Sequence, residues 1–432
     1  MSTGGRGTLR RAVGRWQIVA LALNDVIGSG IYLLPAAAVA LLGPSSLGAV
    51  VLAAVAVGLV VMCFAEAATY FQEPGSAYLY TREAFGDFAG FQVGWMTWLT
   101  RVASIASLCA ALAQAVAYLW PGAATGLGRA FVVTVPLLIL GLINTVGVSS
   151  GAWAAVVLTI GKLIPLLVFV AFGALAGSID TLTGQQVVET GGWGAAALLL
   201  LYAFAGFENT AAAAGEFKRP RRDLPFALMV HLAIVAGLYI AVMAVVMSTL
   251  PNSGSSQTPL ADAAALFLGG WGGLLLTVGA VISIFGTQAN TVFAAPRYLL
   301  ALARDGYGPG RLADVHSRFQ TPAVALWATL AVAWPLSLYG SFVGLAALSV
   351  LSRLFSYVGT AAAIPVLRRT RTPAPGAFRM PFGPAIPAAA IGLAAVFASG
   401  ATRQNLISAG VAFGVGVVLF TLRRRRSPDS AP

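Results

Sequence analysis

The feature that most restricts this chain is a succession of apolar runs, each long enough to cross a bilayer and separated by short basic loops. A spanning helix needs about 20 apolar residues. Twelve such runs are read, near residues 16–42, 46–72, 88–119, 130–149, 151–176, 193–216, 224–249, 269–303, 322–340, 342–368, 383–402 and 404–422. Hydrocarbon cannot satisfy backbone N–H and C=O groups, so runs of this length fold as helices. The expected fold class is an all-α polytopic membrane protein. Of the 432 residues, 58% are hydrophobic and only 9% are charged, against roughly 25% in a soluble domain. A soluble enzyme or binding module is thereby excluded as a description of the whole chain.

The net charge of +12 does not imply nucleic acid, because the positive residues gather in loops and tails. With the N-terminus placed in the cytoplasm, cytoplasmic segments carry Arg6, Arg10, Arg11, Arg15, Arg82, Lys218, Arg219, Arg221 and Arg222. They continue with Arg304, Arg311, Arg318, Arg368, Arg369, Arg371, Arg379 and Arg423 to Arg426. The opposite side carries only Arg129 and Arg403. This asymmetry predicts an even number of spans with both termini cytoplasmic, in the cytoplasmic membrane. The basic tail reads as a stop beside anionic lipid head groups. Met1 to Arg15 leads into a full span without a small-residue cleavage site, so it does not read as a signal peptide. Cys63 and Cys109 lie in apolar runs and read as buried thiols, with no disulfide framework or metal site.

The first run is interrupted. Asn24-Asp25-Val26-Ile27-Gly28-Ser29-Gly30-Ile31 puts two glycines and several polar groups at membrane depth. Glycine weakens a helix, and broken backbone in a membrane has to face protein, water or a ligand. Free N–H groups near Ser29, Gly30 and Ile31 suit a carboxylate, and the last carbonyls near Val26 and Ile27 suit a cation. One break offers both poles of a zwitterion. The alternative is a close helix–helix contact through small residues. The sixth run is interrupted in the same way at Tyr202-Ala203-Phe204-Ala205-Gly206-Phe207-Glu208. Interruptions at positions one and six divide the chain into two five-span halves, about 16–176 and 193–368, of opposite topology. Spans near 383–422 fall outside the repeat, and residues 1–432 read as one domain.

On these residues the chain resembles the amino acid–polyamine–organocation permease superfamily, with its LeuT-type fold. Gly28-Ser29-Gly30-Ile31-Tyr32 is similar to that family's broken first helix. Glu66 to Tyr80, with Pro74-Gly75 at its centre, resembles the signature leading into an amphipathic cytoplasmic helix. Gly206-Phe207-Glu208, Glu216 to Pro225, Arg304-Asp305-Gly306 and Thr321-Pro322 follow in the same order, and the resemblance runs from about residue 14 to 370. It implies secondary transport of an amino acid by alternating access, with no cofactor and no metal.

Ionisable residues inside spans are functional candidates. Lys162, in the fifth span, has two readings: a static clamp to spans one and eight, or a group that takes up and releases a proton. In proton-linked relatives a lysine of this span stands where sodium binds in others. Ser283 and Thr287 offer hydroxyls at the same place. Asp25 accepts from Lys162, faces an inner vestibule or reaches cytoplasmic water. Glu208 is a brace, a proton carrier or an amine partner, and the resemblance favours coupling and gating. Tyr202 either packs or covers the substrate. Glu66, Arg101, Arg297 and Arg353 read as partners of polar groups near the inner halves of their helices; Arg101 has a second reading, as part of the pathway, with the structural role preferred.

The expected substrate contacts are the α-carboxylate on Ser29, Gly30 and Ile31 beyond Gly28, and the α-amine on carbonyls of Val26, Tyr202 and Ala205 beside Gly206. With Glu208 as the sole free acid near the side chain, a neutral, apolar amino acid is favoured over a cationic one. The second reading is an exchanger of cationic amino acids or polyamines; a channel or receptor is a different class. No catalytic constellation appears. Gly30→Val is expected to abolish binding while leaving the fold intact.

Overall fold

The computed structural model describes residues 13–71, 76–146, 152–185, 192–212, 217–372 and 377–426. Arg6, Arg10, Arg11, the Gln72 to Gly75 part of the second-span signature and Glu216 lie outside them. Among the described residues the architecture is helical, apart from an isolated bridge between Val13 and Phe217.

Helices α1 (Arg15–Val26) and α2 (Ser29–Leu42) share the first run, and α3 (Ser46–Thr69) fills the second. The short helix α4 (Ser76–Phe85) precedes α5 (Asp87–Val116). Next come α6 (Gly126–Val146), α7 (Ala152–Ala176) and the brief α8 (Ile179–Thr183). The sixth run is divided into α9 (Trp193–Ala203) and α10 (Phe207–Ala212). Then follow α11 (Pro220–Thr249), α12 (Pro259–Leu268), α13 (Gly270–Arg304), α14 (Ala323–Tyr339) and α15 (Phe342–Thr370). The chain closes with α16 (Ala385–Ser399) and α17 (Arg403–Arg426).

Among the described residues, eight helical stretches are long and apolar enough to cross a membrane on their own. α9, α14 and α16 coincide with expected spans but are shorter. The chain is a multi-pass membrane protein. α12 falls between the expected spans, and at ten residues it is too short to be one of them. Its capping was nonetheless visible: Pro259 opens it, and Gly269 follows its end with φ +69°, the usual asymmetry of helix ends.

Helix α5 forms the centre of the bundle, packed on α13 and α15. In its most apolar window 83% of the residues are buried, against 11% in α17, which therefore lies at the rim. Cys63 and Cys109 are buried free thiols.

The two interruptions lie against each other. α1 stops because Ile27 turns to extended backbone (φ −73°, ψ 93°), and α2 starts after Gly28. α9 and α10 are separated by Phe204 to Gly206, where Gly206 has φ +132°. α2 packs on α9 and α1 packs on α10, so the two broken spans run antiparallel. A β-carbon on Gly206 would lie 2.6 Å from the Asp25 carbonyl oxygen, and one on Gly30 would lie 2.7 Å from Ala203 Cα. The small-residue contact between helices is thus present together with the break. The expected outcome of Gly30→Val changes accordingly: its side chain would be driven into the backbone of α9, so the substitution disrupts packing rather than sparing the fold.

Candidate functional site

A cavity opens between the two breaks. Asp25, Val26, Gly28, Ser29 and Gly30 line it from the first break. Tyr202, Ala205, Gly206 and Asn209 line it from the second. The remaining wall is Arg101, Ser104 and Leu108 of α5, Thr287 and Thr291 of α13, and Arg353 of α15. Of the residues expected to contact substrate, Ile27 and Ile31 do not line this cavity and are buried in the core.

α2 begins at Ser29, so the N–H groups of Ser29, Gly30 and Ile31 belong to its first turn and have no partner one turn earlier within the helix. Ser29 Oγ is 3.4 Å from Tyr202 Oη, a hydroxyl pair joining the two broken spans across the cavity. The Tyr202 ring meets Phe342 edge to face, with centroids 6.0 Å apart. Two of the carbonyls expected to take the α-amine already accept a bond. Val26 O accepts from Tyr239 Oη at 3.3 Å, and Tyr202 O accepts from Ala205 N at 3.1 Å. Each keeps a second lone pair.

The carbonyl end of α1 holds a side-chain cation. Lys162 is fully buried. Its Nζ donates to Asn24 O at 2.9 Å, Ile27 O at 3.1 Å and Thr287 Oγ1 at 3.1 Å. Ser283 Oγ donates to the same Ile27 carbonyl at 2.9 Å, and Thr287 Oγ1 does so at 3.3 Å. The ammonium of α7 thus sits among oxygens of α1 and α13. Asp25 makes no ion pair with Lys162 among the described residues; it accepts from Asn290 Nδ2 at 2.8 Å. Asn290 and Asn209 were not read from the sequence, since an amide in a span carries no charge to mark it.

Glu208 is the second departure from expectation. It does not line the cavity as a free acid. Its Oε2 accepts from Gly206 N at 3.1 Å. Its Oε1 accepts from Arg101 Nη2 at 3.1 Å and also from Arg353 Nη1. Arg353 Nη2 reaches Ser104 Oγ at 3.4 Å, and the Arg101 guanidinium stands 5.7 Å from the Tyr298 ring centroid. Both arginines are almost fully buried. The sequence carried the signal, one mid-span acid against mid-span arginines on two other spans, but gave no means to pair them.

Away from the cavity, Glu66 is claimed by Arg368, at 2.7 and 2.8 Å, by Tyr70 Oη at 3.2 Å and by Met380 N at 2.8 Å. This brace ties α3 to α15 and to the segment before α16. Arg297 donates to its own helix at Phe293 O. In the loop helix α4, Tyr78 donates to Asp305, and Arg82 reaches the same carboxylate at 3.2 Å. Burial first, then the bond to Asp305, pushes the Tyr78 phenol above its ordinary value and keeps it a donor.

Residues 13–420 match the amino acid permease family. The serine/threonine exchanger SteT of Bacillus subtilis is 29% identical over 435 residues, covering 97% of this chain and 98% of that protein. The uncharacterized transporter Rv1979c of Mycobacterium tuberculosis is 30% identical, covering 85% of this chain and 82% of that protein. The branched-chain amino acid permease BcaP of B. subtilis is 27% identical over 90% of this chain and 88% of its own length. The match spans both broken helices and every helix that lines the cavity, and the chain belongs to the amino acid permease family of the amino acid–polyamine–organocation superfamily.

Proposed function

We propose that the protein is a secondary transporter that carries an amino acid across the cytoplasmic membrane by alternating access, without sodium. The observation that carries this reading is the pairing of two antiparallel helix breaks around one cavity. In that cavity the first turn of α2 receives the α-carboxylate at Ser29 and Gly30. The carbonyls of Val26, Tyr202 and Ala205 receive the α-ammonium. Gly28 and Gly206 keep the backbone open at the two breaks, and Tyr202 covers the substrate with its hydroxyl toward Ser29. In this reading the chain is one domain of twelve spans with both termini cytoplasmic. α1/α2 and α9/α10 each count as one broken span, within inverted halves at about 16–176 and 193–368.

Sodium independence rests on Lys162. An ammonium already occupies the oxygens of Asn24, Ile27 and Thr287. A sodium ion about 4 Å away would be repelled by roughly 4 kcal/mol at an effective dielectric of 20. Lys162 and Asp25 are the groups through which coupling to protons would run, with Ser283 and Thr287 holding the lysine in place. A cationic substrate is disfavoured, because Glu208 is already claimed by two guanidiniums and offers no spare charge. The relatives named for serine and threonine and for branched-chain amino acids likewise favour a substrate without a positive side chain.

The test uses purified protein in proteoliposomes and a panel of radiolabelled amino acids. The free amino acid that is taken up should compete with itself, whereas its methyl ester and its N-acetyl derivative should not. Equal competition by the ester would remove the carboxylate site from α2. Currents of channel size would replace the carrier with a pore.

A further inference from the structure

Two guanidiniums of the cavity wall, Arg101 and Arg353, share one carboxylate, Glu208, which follows the second break and lies behind the lining. Arginine stays charged in a protein, so with Glu208 ionised this trio holds one positive charge in excess. Among the described residues, Glu208 is the one carboxylate that either arginine pairs with. The Nε of Arg101 and the Nε of Arg353 are both buried and have no protein partner among the described residues. A buried charge without a counter-charge costs several kcal/mol. While Lys162 is protonated, it and Asp25 together add no net charge, so the excess stays. A zwitterion with a neutral side chain adds no net charge and leaves the excess in place.

We propose that the side chain of the substrate is itself an anion, an α-amino dicarboxylate whose second carboxylate enters between Arg101 and Arg353. This deepens the transport reading above and rests on it. The α-carboxylate and α-ammonium keep their places at the two breaks, and the side chain points toward α5 and α15. There the unpartnered Nε groups can donate to the second carboxylate, an arrangement guanidinium geometry favours. The bound complex is then neutral across the cavity. A neutral side chain is favoured from the sequence because no acid beyond Glu208 is in view; the structure adds that Glu208 is taken by the arginines and that both arginines line the cavity.

The experiment compares L-glutamate and L-aspartate with L-glutamine, L-asparagine, L-serine and L-leucine as competitors and as uptake substrates in proteoliposomes. One of the two acids should act at a concentration on the order of tenfold to a hundredfold below that of its carboxamide, the usual strength of hydrogen bonds to a charged group. Arg353→Gln, checked for monodispersity in detergent, should lose that preference and accept the carboxamide at least as well. If serine or leucine is carried and neither acid competes, the inference is overturned while the protein remains an amino acid carrier. If no amino acid competes at all, the transport reading itself falls. Thermal protection by chloride equal to that by either acid would also overturn it, as a site for simple anions.

Discussion

At the scale of single residues the account turns on which charges find partners. Lys162, Glu208, Arg101 and Arg353 were each visible as ionisable groups inside spans, and each lies at the site or beside it. What the sequence could not supply was the pairing. Glu208 keeps three readings from the sequence, brace, proton carrier or amine partner, because the arginines that claim it lie 107 and 145 residues away. Asp25 was weighed as a partner of Lys162, yet it bonds to Asn290, an amide that composition does not mark. Lys162 is the residue whose removal separates its two readings. Lys162→Ala should cut uptake by roughly tenfold or more, since a buried charged hydrogen-bonded group is worth about 1.5 to 3 kcal/mol. As a proton carrier, Lys162 makes a pH gradient accelerate uptake by the unmutated protein, and the substitution abolishes that acceleration. As a clamp, it leaves the pH profile of the residual uptake unchanged in shape.

At the scale of elements, run lengths and glycine positions located the spans well. Helices α5, α7, α13 and α15 begin and end within a few residues of the expected runs, because a membrane fixes helix length and apolar composition together. The breaks were legible because backbone interrupted at that depth has to face protein, water or a ligand. The inverted repeat puts the two breaks side by side, but not how closely their backbones approach. Gly206 carries φ +132° and leaves no room for a β-carbon beside the Asp25 carbonyl. Gly206→Ala should therefore destabilise the protein by about 1 to 3 kcal/mol from backbone strain, with the steric clash in addition. A lowered melting temperature in detergent, together with lost uptake, is the expected result. An unchanged melting temperature would mean that the two broken spans are not held as tightly as the geometry implies. The Glu66–Arg368 brace shows the same limit of sequence reading, for its partners are 302 residues apart.

At the scale of the whole molecule, two broken helices run antiparallel around one cavity, and ion pairs link spans that are distant in sequence. Tyr78 and Arg82 of α4 meet Asp305 at the end of α13. Glu66 joins α3 to α15. Arg101 and Arg353 join α5 and α15 to the second break through Glu208. A carrier of this kind must close around its load and open on one side at a time, a shift driven by contacts that differ between states. The most direct test is counterflow in proteoliposomes loaded with unlabelled amino acid, run once in sodium and once with choline in its place. The account predicts saturable accumulation of external label, unchanged when sodium is removed. Accumulation that appears only with sodium would contradict the placement of Lys162 at the cation position, and flux without saturation or counterflow would contradict the carrier itself.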